Sequence, residues 1–225
     1  MSTSTLLAPE TIKRQVLVAV ELFDPVILSN VNRGLSVLAQ GLAGVPIISW
    51  SGRYVWLREL DAWPNRYDVS VDTGSYQAVS QGAPPKPADV TQVPWAQRLT
   101  RIVLTPTPAY PFPDGLTVIR GRLRESADPG AAPVAGATVA LTWEMDAKGG
   151  AVQVASPMTA ITDAAGEFAL MLRPPTSSKP TLNQGKLSIQ ILVRRDGLAR
   201  SDIQRSVVDG ALIDLPNPLA WSDMK

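Results

Sequence analysis

Residues 151–175 read AVQVASPMTAITDAAGEFALMLRPP and decide the fold. Apolar and polar residues alternate on both sides of a short polar break, and alternation with a period of two is typical of half-buried β-strands. Gly166 lies in that break, where a tight hairpin requires a backbone conformation that glycine adopts readily. The stretch therefore predicts two strands joined by a turn. The residues expected to face inward and pack together there and on the neighbouring strand are Phe168, Leu170, Leu172, Val139 and Leu141.

Runs of the same kind recur along the rest of the chain, with Gly, Pro and Asp between them. The runs lie at 15–25, 45–60, 66–79, 98–106, 116–125, 133–145, 185–197 and 200–215. Residues 26–44 fit either helical spacing or two short strands, and the alternation around Leu35 and Val37 favours strands. Short strands separated by turn residues are the pattern of β-sandwiches, so the predicted fold class is all-β.

Proline divides the chain into two halves. Residues 82–96 are a Pro-rich connector, and residues 106–115 hold four more prolines, each of which removes a backbone donor from a sheet. The hairpin sequence SGRYVWL at 51–57 has the same form as AGEFALML at 165–172. We therefore expect two tandem immunoglobulin-like or transthyretin-like β-sandwich domains joined by a Pro-rich linker. The predicted boundaries are an N-terminal arm at 1–12, a first domain at 13–105, the linker at 106–115 and a second domain at 116–225.

A spaced pattern of glycines and apolar residues runs through the second half. It consists of Val118-x-x-Gly121-x-Leu123, Pro133-Val134-Ala135-Gly136-Ala137-x-Val139-x-Leu141 and Ala160-x-Thr162-Asp163-x-x-Gly166-x-Phe168-x-Leu170. This pattern resembles the carboxypeptidase regulatory-like domain over residues 116–175 and fades after Pro174. The resemblance implies a small transthyretin-like sandwich that binds, spaces or stabilises and does no chemistry. The residues also fit that fold physically. Gly121 permits a bulge or a close approach in the first strand, Thr162 and Asp163 can bond the backbone of the turn, and Gly166 takes the left-handed position.

Composition excludes most routes to catalysis. The chain contains no histidine and no cysteine, which removes the commonest general base, thiolate metal sites and disulfides. The net charge is +1, which gives no electrostatic footprint for nucleic acid. There is no apolar run long enough for a transmembrane helix and no secretory signal, so we expect synthesis in the cytoplasm.

The remaining candidates for chemistry are carboxylates, and each lies at a turn or on an alternating strand. Calcium could use Asp146 with Gly149 and Gly150, or Asp163 with Gly166, but the spacing of a calcium loop is missing. Glu144 could promote a Lys–Asn crosslink, as in some transthyretin-like surface domains, but the opening strand supplies no lysine. The sequence predicts neither an enzyme nor a metal or other cofactor.

Six tryptophans and the two chain ends are the candidate interaction residues. Trp50, Trp56 and Trp63 cluster in the first half; a core position is the simplest interpretation, and an exposed patch for a sugar or a protein is the alternative. Each of Trp63 and Trp95 adjoins a proline and is expected to be exposed. The two chain ends hold few apolar residues that could pack within their own domains, and the alternative is that both are frayed tails or fold back on their own domain. Their apolar anchors, suited to docking on a neighbouring subunit, are Leu6, Leu7, Leu219 and Trp221.

Together these features predict a non-catalytic structural or interaction protein that mediates assembly with other protein subunits. The resemblance implies the setting of a phage tail or a contractile injection-type particle, and hence a virion- or particle-associated location. The alternative is a carbohydrate- or cell-surface-binding module that uses exposed aromatic side chains. We expect no nucleic acid partner and no membrane insertion.

Overall fold

A computed structural model describes residues 15–57, 62–71, 74–147, 150–173, 180–202 and 204–225 of the chain. These residues form an all-β fold of short antiparallel strands with a few parallel pairs. Three short 3-10 helices lie among them, at Val90–Gln92, Trp95–Arg98 and Trp221–Asp223. The all-β fold class is therefore confirmed. The chain divides into two compact units, the first ending at Val103 and the second running from Leu104 to Lys225.

The first unit contains two sheets that face each other. Its strands are β1 (Val16–Asp24), β2 (Ser29–Asn30), β3 (Leu35–Gln40), β4 (Ile47–Ile48), β5 (Tyr54–Leu57), β6 (Arg66–Val71), β7 (Val79–Gly82) and β8 (Leu99–Val103). One sheet has the order β4-β5-β1-β8, with β2 on the end of β1; the other has the order β3-β6-β7. The rings of Trp56 on β5 and Tyr67 on β6 pack between the sheets at 6.4 Å. Tyr54 donates a hydrogen bond across the same layer to the Leu35 carbonyl at 3.3 Å.

The second unit also has two sheets around one core. Its strands are β9 (Val118–Arg124), β10 (Thr138–Ala147), β11 (Gly150–Ile161), β12 (Glu167–Met171), β13 (Leu182–Asn183), β14 (Lys186–Arg195), β15 (Leu198–Ser201), β16 (Arg205–Val208), β17 (Leu212–Asp214) and β18 (Leu219–Ala220). The larger sheet places β10 between β11 and β14, and β13, β15 and β16 pair with β14. The smaller sheet has β9 at its centre, beside β12, β17 and β18. The predicted inward residues Phe168, Leu170 and Leu172 are all buried in one core cluster with Val139 and Leu141, which confirms that they face inward. Val139 and Leu141 lie on β10 of the larger sheet, however, and not on the strand next to β12, which pairs with β9.

The turn before β12 adopts the predicted geometry. The Asp163 carboxylate accepts hydrogen bonds from the backbone N–H groups of Ala165, at 2.9 Å, and Glu167, at 2.8 Å. The Thr162 hydroxyl oxygen accepts one from the Ala137 N–H at 2.9 Å. Gly166 has φ +74°, in the left-handed region, so the expectation for this glycine is confirmed. At Gly121 an added Cβ would lie 2.7 Å from Phe168 Cζ, so the predicted close approach is confirmed too.

The second unit also takes in short segments from the first half of the chain. Pro25–Ile27 and Thr73–Gln77 belong to it, together with the Pro-rich residues 106–115. Tyr110, from the Pro-rich segment, is buried and packs its ring 5.4 Å from Tyr76 and 4.8 Å from Phe112. Arg173 donates to the Pro25 carbonyl at 2.5 Å. These contacts form a second, smaller apolar cluster around Val118 and Met171.

The C-terminal stretch packs within its own unit, so the expectation that it has little to pack against is wrong. Leu219 and Trp221 are 3% and 9% exposed and belong to the core cluster. The reason is that β18 pairs in parallel with β9, which places Leu219 beside Leu123. The guanidinium of Arg200 then covers the Trp221 ring at 4.6 Å and donates to the Trp221 carbonyl at 2.8 Å.

Candidate interaction surface

Two of the carboxylates singled out in the sequence, Asp163 and Glu144, have structural partners. Asp163 bonds the turn that contains Gly166, as described above. Glu144 accepts a hydrogen bond from the Gln204 amide at 3.1 Å. The Asp146 side chain and Gly149 lie outside the described residues. Among the residues that are described, no group of three or more acidic side chains is placed to hold a metal ion.

The first unit exposes an apolar hairpin tip, residues 45–50, which includes β4 and runs into the turn before β5. Trp50 is fully exposed and Val45 is 91% exposed, while Ile47 and Ile48 are each half exposed. No charged residue occurs between Arg33 and Arg53, so the tip has no charge of its own. Apolar side chains that are grouped and exposed in this way mark interaction surfaces more often than isolated ones do.

A compact turn holds the hairpin tip in place. Two hydrogen bonds join Ser49 and Arg53: the Ser49 N–H donates to the Arg53 carbonyl at 2.8 Å, and the Ser49 hydroxyl oxygen accepts from the Arg53 N–H at 3.1 Å. Gly52 adopts φ +76°, which closes the turn. Trp50 lies at the outer corner of this turn, and its side chain points to solvent because the turn interrupts the alternation of the strands.

A groove of about 440 Å³ lies on the outer face of the sheet beside the tip. Its floor is the cross-strand row of Val55, Ala19 and Leu99, which are paired in register on β5, β1 and β8. Its walls include Ser49 and Ser51 from the turn and Trp95 from the segment before β8. Trp95 is 75% exposed.

The wall that carries Trp95 is rigid because its backbone is tied down at both ends. Asp89 caps the first short helix by accepting from the Thr91 N–H at 2.8 Å, and the hydrogen bonds from Thr91 lower the pKa of the Asp89 carboxyl. The Arg98 guanidinium donates to the carbonyls of Val90 at 2.9 Å, Val93 at 3.0 Å and Val16 at 2.7 Å. Arg98 therefore ties the segment that carries Trp95 to β1.

Charges next to the groove are paired. Glu21 on β1 is almost buried and lies between Arg53, at 2.9 Å, and Arg101, at 3.5 Å. Arg101 also stacks over the Phe23 ring, 3.7 Å from its centroid. One carboxylate, Glu21, is shared by two arginines, so the three side chains together carry a net charge of +1. This cationic group borders the apolar floor of the groove. A partner with apolar side chains and an adjoining acidic group fits this arrangement.

The structure separates the predicted interaction residues. Trp95 is exposed in the groove wall, as expected, whereas Trp63 is half buried and donates its indole N–H to the Pro84 carbonyl at 2.8 Å. Leu219 and Trp221 are core residues of the second unit. Leu6 and Leu7 lie outside the described residues. Sequence reasoning favoured a core position for Trp50, and that interpretation is wrong; the charge-free run from Gly34 to Gly52 was the signal that could have found it.

Comparison with known proteins gives no relative for this chain. No model of a known protein family, no curated protein and no solved structure matches it significantly. Within the described ranges, every helix is too short or too polar to cross a membrane.

Proposed function

We propose that this chain is a non-catalytic structural or interaction protein that acts by contact in the assembly of a larger particle. The observation that carries the proposal is the hairpin tip of the first unit, where a fully exposed Trp50 stands beside Ile47 and Ile48 in a stretch without charge. Exposing these side chains to water is unfavourable by roughly 25 cal/mol per Å² of apolar surface. A partner that covers them supplies the compensation.

The partner we propose is another protein subunit, which places an apolar side chain in the groove and an acidic group near Arg53 and Arg101. Tryptophan and arginine are the residue types that dominate binding energy at protein interfaces. Both are present here on an ordered backbone, since Arg98 and the Ser49 turn bond the backbone segments that carry Trp95 and Trp50. Little backbone conformational entropy is then lost when the partner binds.

The finer architecture and the setting belong to the same proposal. We propose two immunoglobulin-like or transthyretin-like sandwiches in tandem, joined through the Pro-rich residues 106–115. The particle would be a phage tail or a contractile injection-type machine, made in the cytoplasm. Support for this setting comes from the resemblance to the carboxypeptidase regulatory-like domain over 116–175. An arm with Leu6 and Leu7 would add a further contact on a neighbouring subunit.

A second candidate function is binding of a carbohydrate. The observation that favours it is the exposure of two tryptophan rings, Trp50 and Trp95, in one unit. An exposed indole face offers an apolar surface for a pyranose ring, and the hydroxyls of Ser49 and Ser51 at the groove offer hydrogen bonds. The two functions differ in what the tryptophans contact, so one set of variants tests both.

The test replaces the chain, in the organism that encodes it, by a tagged copy that is either unchanged or carries both Trp50→Ala and Trp95→Ala. We expect the unchanged chain to sediment with a particle, and the double variant to be incorporated at least about tenfold less, which corresponds to about 1.4 kcal/mol. The matched control is Leu38→Ala, another exposed large apolar residue of the first unit, on β3. It should be incorporated normally.

Two results would contradict the proposal. One is an unchanged chain that sediments alone as a small protein. The other is a double variant that enters particles as well as the Leu38→Ala control. Binding of the purified chain to a glycan array, abolished in the double variant while incorporation stays normal, would establish the carbohydrate function instead.

A further inference from the structure

Among the described residues, the first half of β11, residues 150–156, forms an outer edge of the larger sheet. β11 pairs with β10 on one side, and on its other side no strand of the described chain pairs with it. Ala151, Gln153 and Ala155 have exposed side chains, and Val152 is 48% exposed. Unpaired edges present backbone donors and acceptors to any strand that can approach them.

The direction of the backbone groups on this edge follows from the neighbouring strand. The Glu144 carbonyl accepts a hydrogen bond from the Thr181 N–H at 3.1 Å, which directs it away from β11. Glu144 is opposite Gln153 in the β10–β11 register. In an antiparallel pair the residues alternate between bonding their opposite neighbour and facing away from it. Gln153 therefore directs its N–H and C=O to the free edge, and so do Ala151 and Ala155.

This edge lacks the usual protection. Residues 150–156 read GAVQVAS and contain no charge and no proline. On the opposite side of the same sheet, β15 and β16 carry Arg200 and Arg205, and charged side chains on an edge discourage pairing with another chain.

The remainder of β11 is protected. Pro157 lacks an N–H, the register with β10 shifts between Ala155 and Thr159, and the Ile161 carbonyl accepts from the Gln77 amide at 2.5 Å. The unprotected window is thus bounded by Gly150 and Pro157.

We propose that the 150–156 edge pairs with the same edge of a second copy of this chain, antiparallel, about a two-fold axis at Gln153. The window is symmetric about that residue: 150 pairs with 156, 151 with 155, 152 with 154, and 153 with itself. Three outward residues on each strand, with two hydrogen bonds for each of the three pairs, give six backbone hydrogen bonds. The larger sheet of one copy and the larger sheet of the other then form one continuous sheet.

The side chains are compatible with this pairing. Val152 of one copy lies next to Val154 of the other, which extends the apolar row that already includes Met145 and Trp143. Glu144 of each copy is separated from its counterpart by three strand spacings of about 4.8 Å, or roughly 14 Å. At physiological ionic strength that separation exceeds the screening length of about 8 Å, so their repulsion is weak. The seam uses the second unit alone and does not depend on the proposed function of the hairpin tip.

A single introduced thiol tests the axis, because the chain has no cysteine of its own. At the axis, the two Cα atoms of a hydrogen-bonded pair lie about 5.5 Å apart, within the range of a disulfide. Gln153→Cys should therefore crosslink to a covalent dimer under mild oxidation. Ala151→Cys is the matched control: its two copies are offset by four residues, about 14 Å, and should remain uncrosslinked. The double variant Ala151→Cys, Ala155→Cys should crosslink, because the thiol at position 151 of one copy then lies opposite the thiol at position 155 of the other.

Sedimentation of the full chain over a range of concentrations provides the second measurement. We expect a reversible dimer whose dissociation constant rises about fivefold or more with Gln153→Lys, because two like charges then meet at the axis. Thr159→Lys, exposed on the same strand outside the window, should leave it unchanged. A parent that stays monomeric, a dimer indifferent to Gln153→Lys, or equal crosslinking by Ala151→Cys and Gln153→Cys would each overturn the proposal.

Discussion

Alanine at Gly166 is expected to destabilise the second unit far more than alanine at Gly136. The two glycines have nearly the same backbone conformation, φ +74° and +72°, and both lie in turns of the same unit. They differ in what an added methyl group would meet. At Gly136, apart from its two chain neighbours, no atom of the described residues lies within 4 Å of the position of Cβ. At Gly166 the added Cβ would overlap the Leu123 carbonyl oxygen and lie 3.2 Å from Pro133 Cβ.

The magnitudes follow from these two environments. A left-handed conformation costs an alanine roughly 1–2 kcal/mol, and both variants bear that cost. Overpacking adds about 1–3 kcal/mol at Gly166 only. Relief by a small shift is blocked, because Leu123 on β9 is bonded on both sides: its N–H donates to the Gly166 carbonyl at 2.8 Å and its carbonyl accepts from the Val134 N–H at 3.0 Å. We expect a total of about 2–5 kcal/mol for Gly166→Ala against about 1–2 kcal/mol for Gly136→Ala.

Hydrogen exchange measured by mass spectrometry is a suitable assay, because peptides from β9 and β12 report on the second unit alone. For amides that exchange through unfolding of the unit, a further 1–3 kcal/mol corresponds to exchange about 5- to 150-fold faster in Gly166→Ala than in Gly136→Ala. Peptides from β1 and β5 of the first unit serve as the internal control and should exchange as in the parent.

Equal exchange in the two variants would refute the reasoning. It would mean that Gly166 does not approach the Leu123 carbonyl, and that the turn which orients Phe168 is placed differently. The two variants share only the cost of the left-handed conformation, so an equal loss of protection would mean that overpacking at Gly166 contributes nothing.

Three further predictions concern stability. Phe168→Ala should lower the free energy of unfolding of the second unit by about 3–5 kcal/mol, measured by urea unfolding, because the ring is fully buried; an unchanged midpoint would contradict the core assignment. Deletion of 216–225 should unfold that unit, since it removes Trp221 and its neighbours from the core; native circular dichroism after deletion would show that the stretch is dispensable. Burial raises the pKa of Tyr67 and of Tyr54, so the folded state holds these protons more tightly and its stability is lost as pH rises above about 10. Tyr67→Phe should make that loss less steep in urea midpoints measured between pH 8 and 11.5, and an identical pH dependence would contradict the assignment.

Local features of the fold were predictable because their causes lie within a few residues. The hairpin at Gly166 needs a left-handed residue, an Asp that bonds two backbone N–H groups, and alternating apolar residues after it; all three are visible in the sequence between Thr162 and Leu172. The strand–turn–strand around Gly52 is a similar case, with φ +76° at the glycine. Nothing beyond neighbouring residues is required for either turn.

Long-range pairings were not predictable from these patterns. β8 lies parallel to β1, and both β17 and β18 lie parallel to β9. No turn sequence specifies a parallel pair, because its two strands are not joined directly. The burial of the C-terminal stretch depends on one of these parallel pairs. Leu219 and Trp221 join the core because β18 pairs with β9, and the sequence alone shows them only as two apolar residues in the last ten positions.

The position of Trp50 shows where period-two reasoning stops. Trp50, Tyr54 and Trp56 are all even-numbered, so counting alternate residues places them on one face, yet Tyr54 and Trp56 are buried and Trp50 is fully exposed. Alternation holds only while the chain stays extended, and the left-handed Gly52 reverses its direction between Trp50 and Tyr54. Once the turn separates them, the part of the chain that the structure describes leaves the indole uncovered. The residues from Gly34 to Gly52 carry no charge, so the exposed tip has no charged group that would oppose contact with an apolar partner.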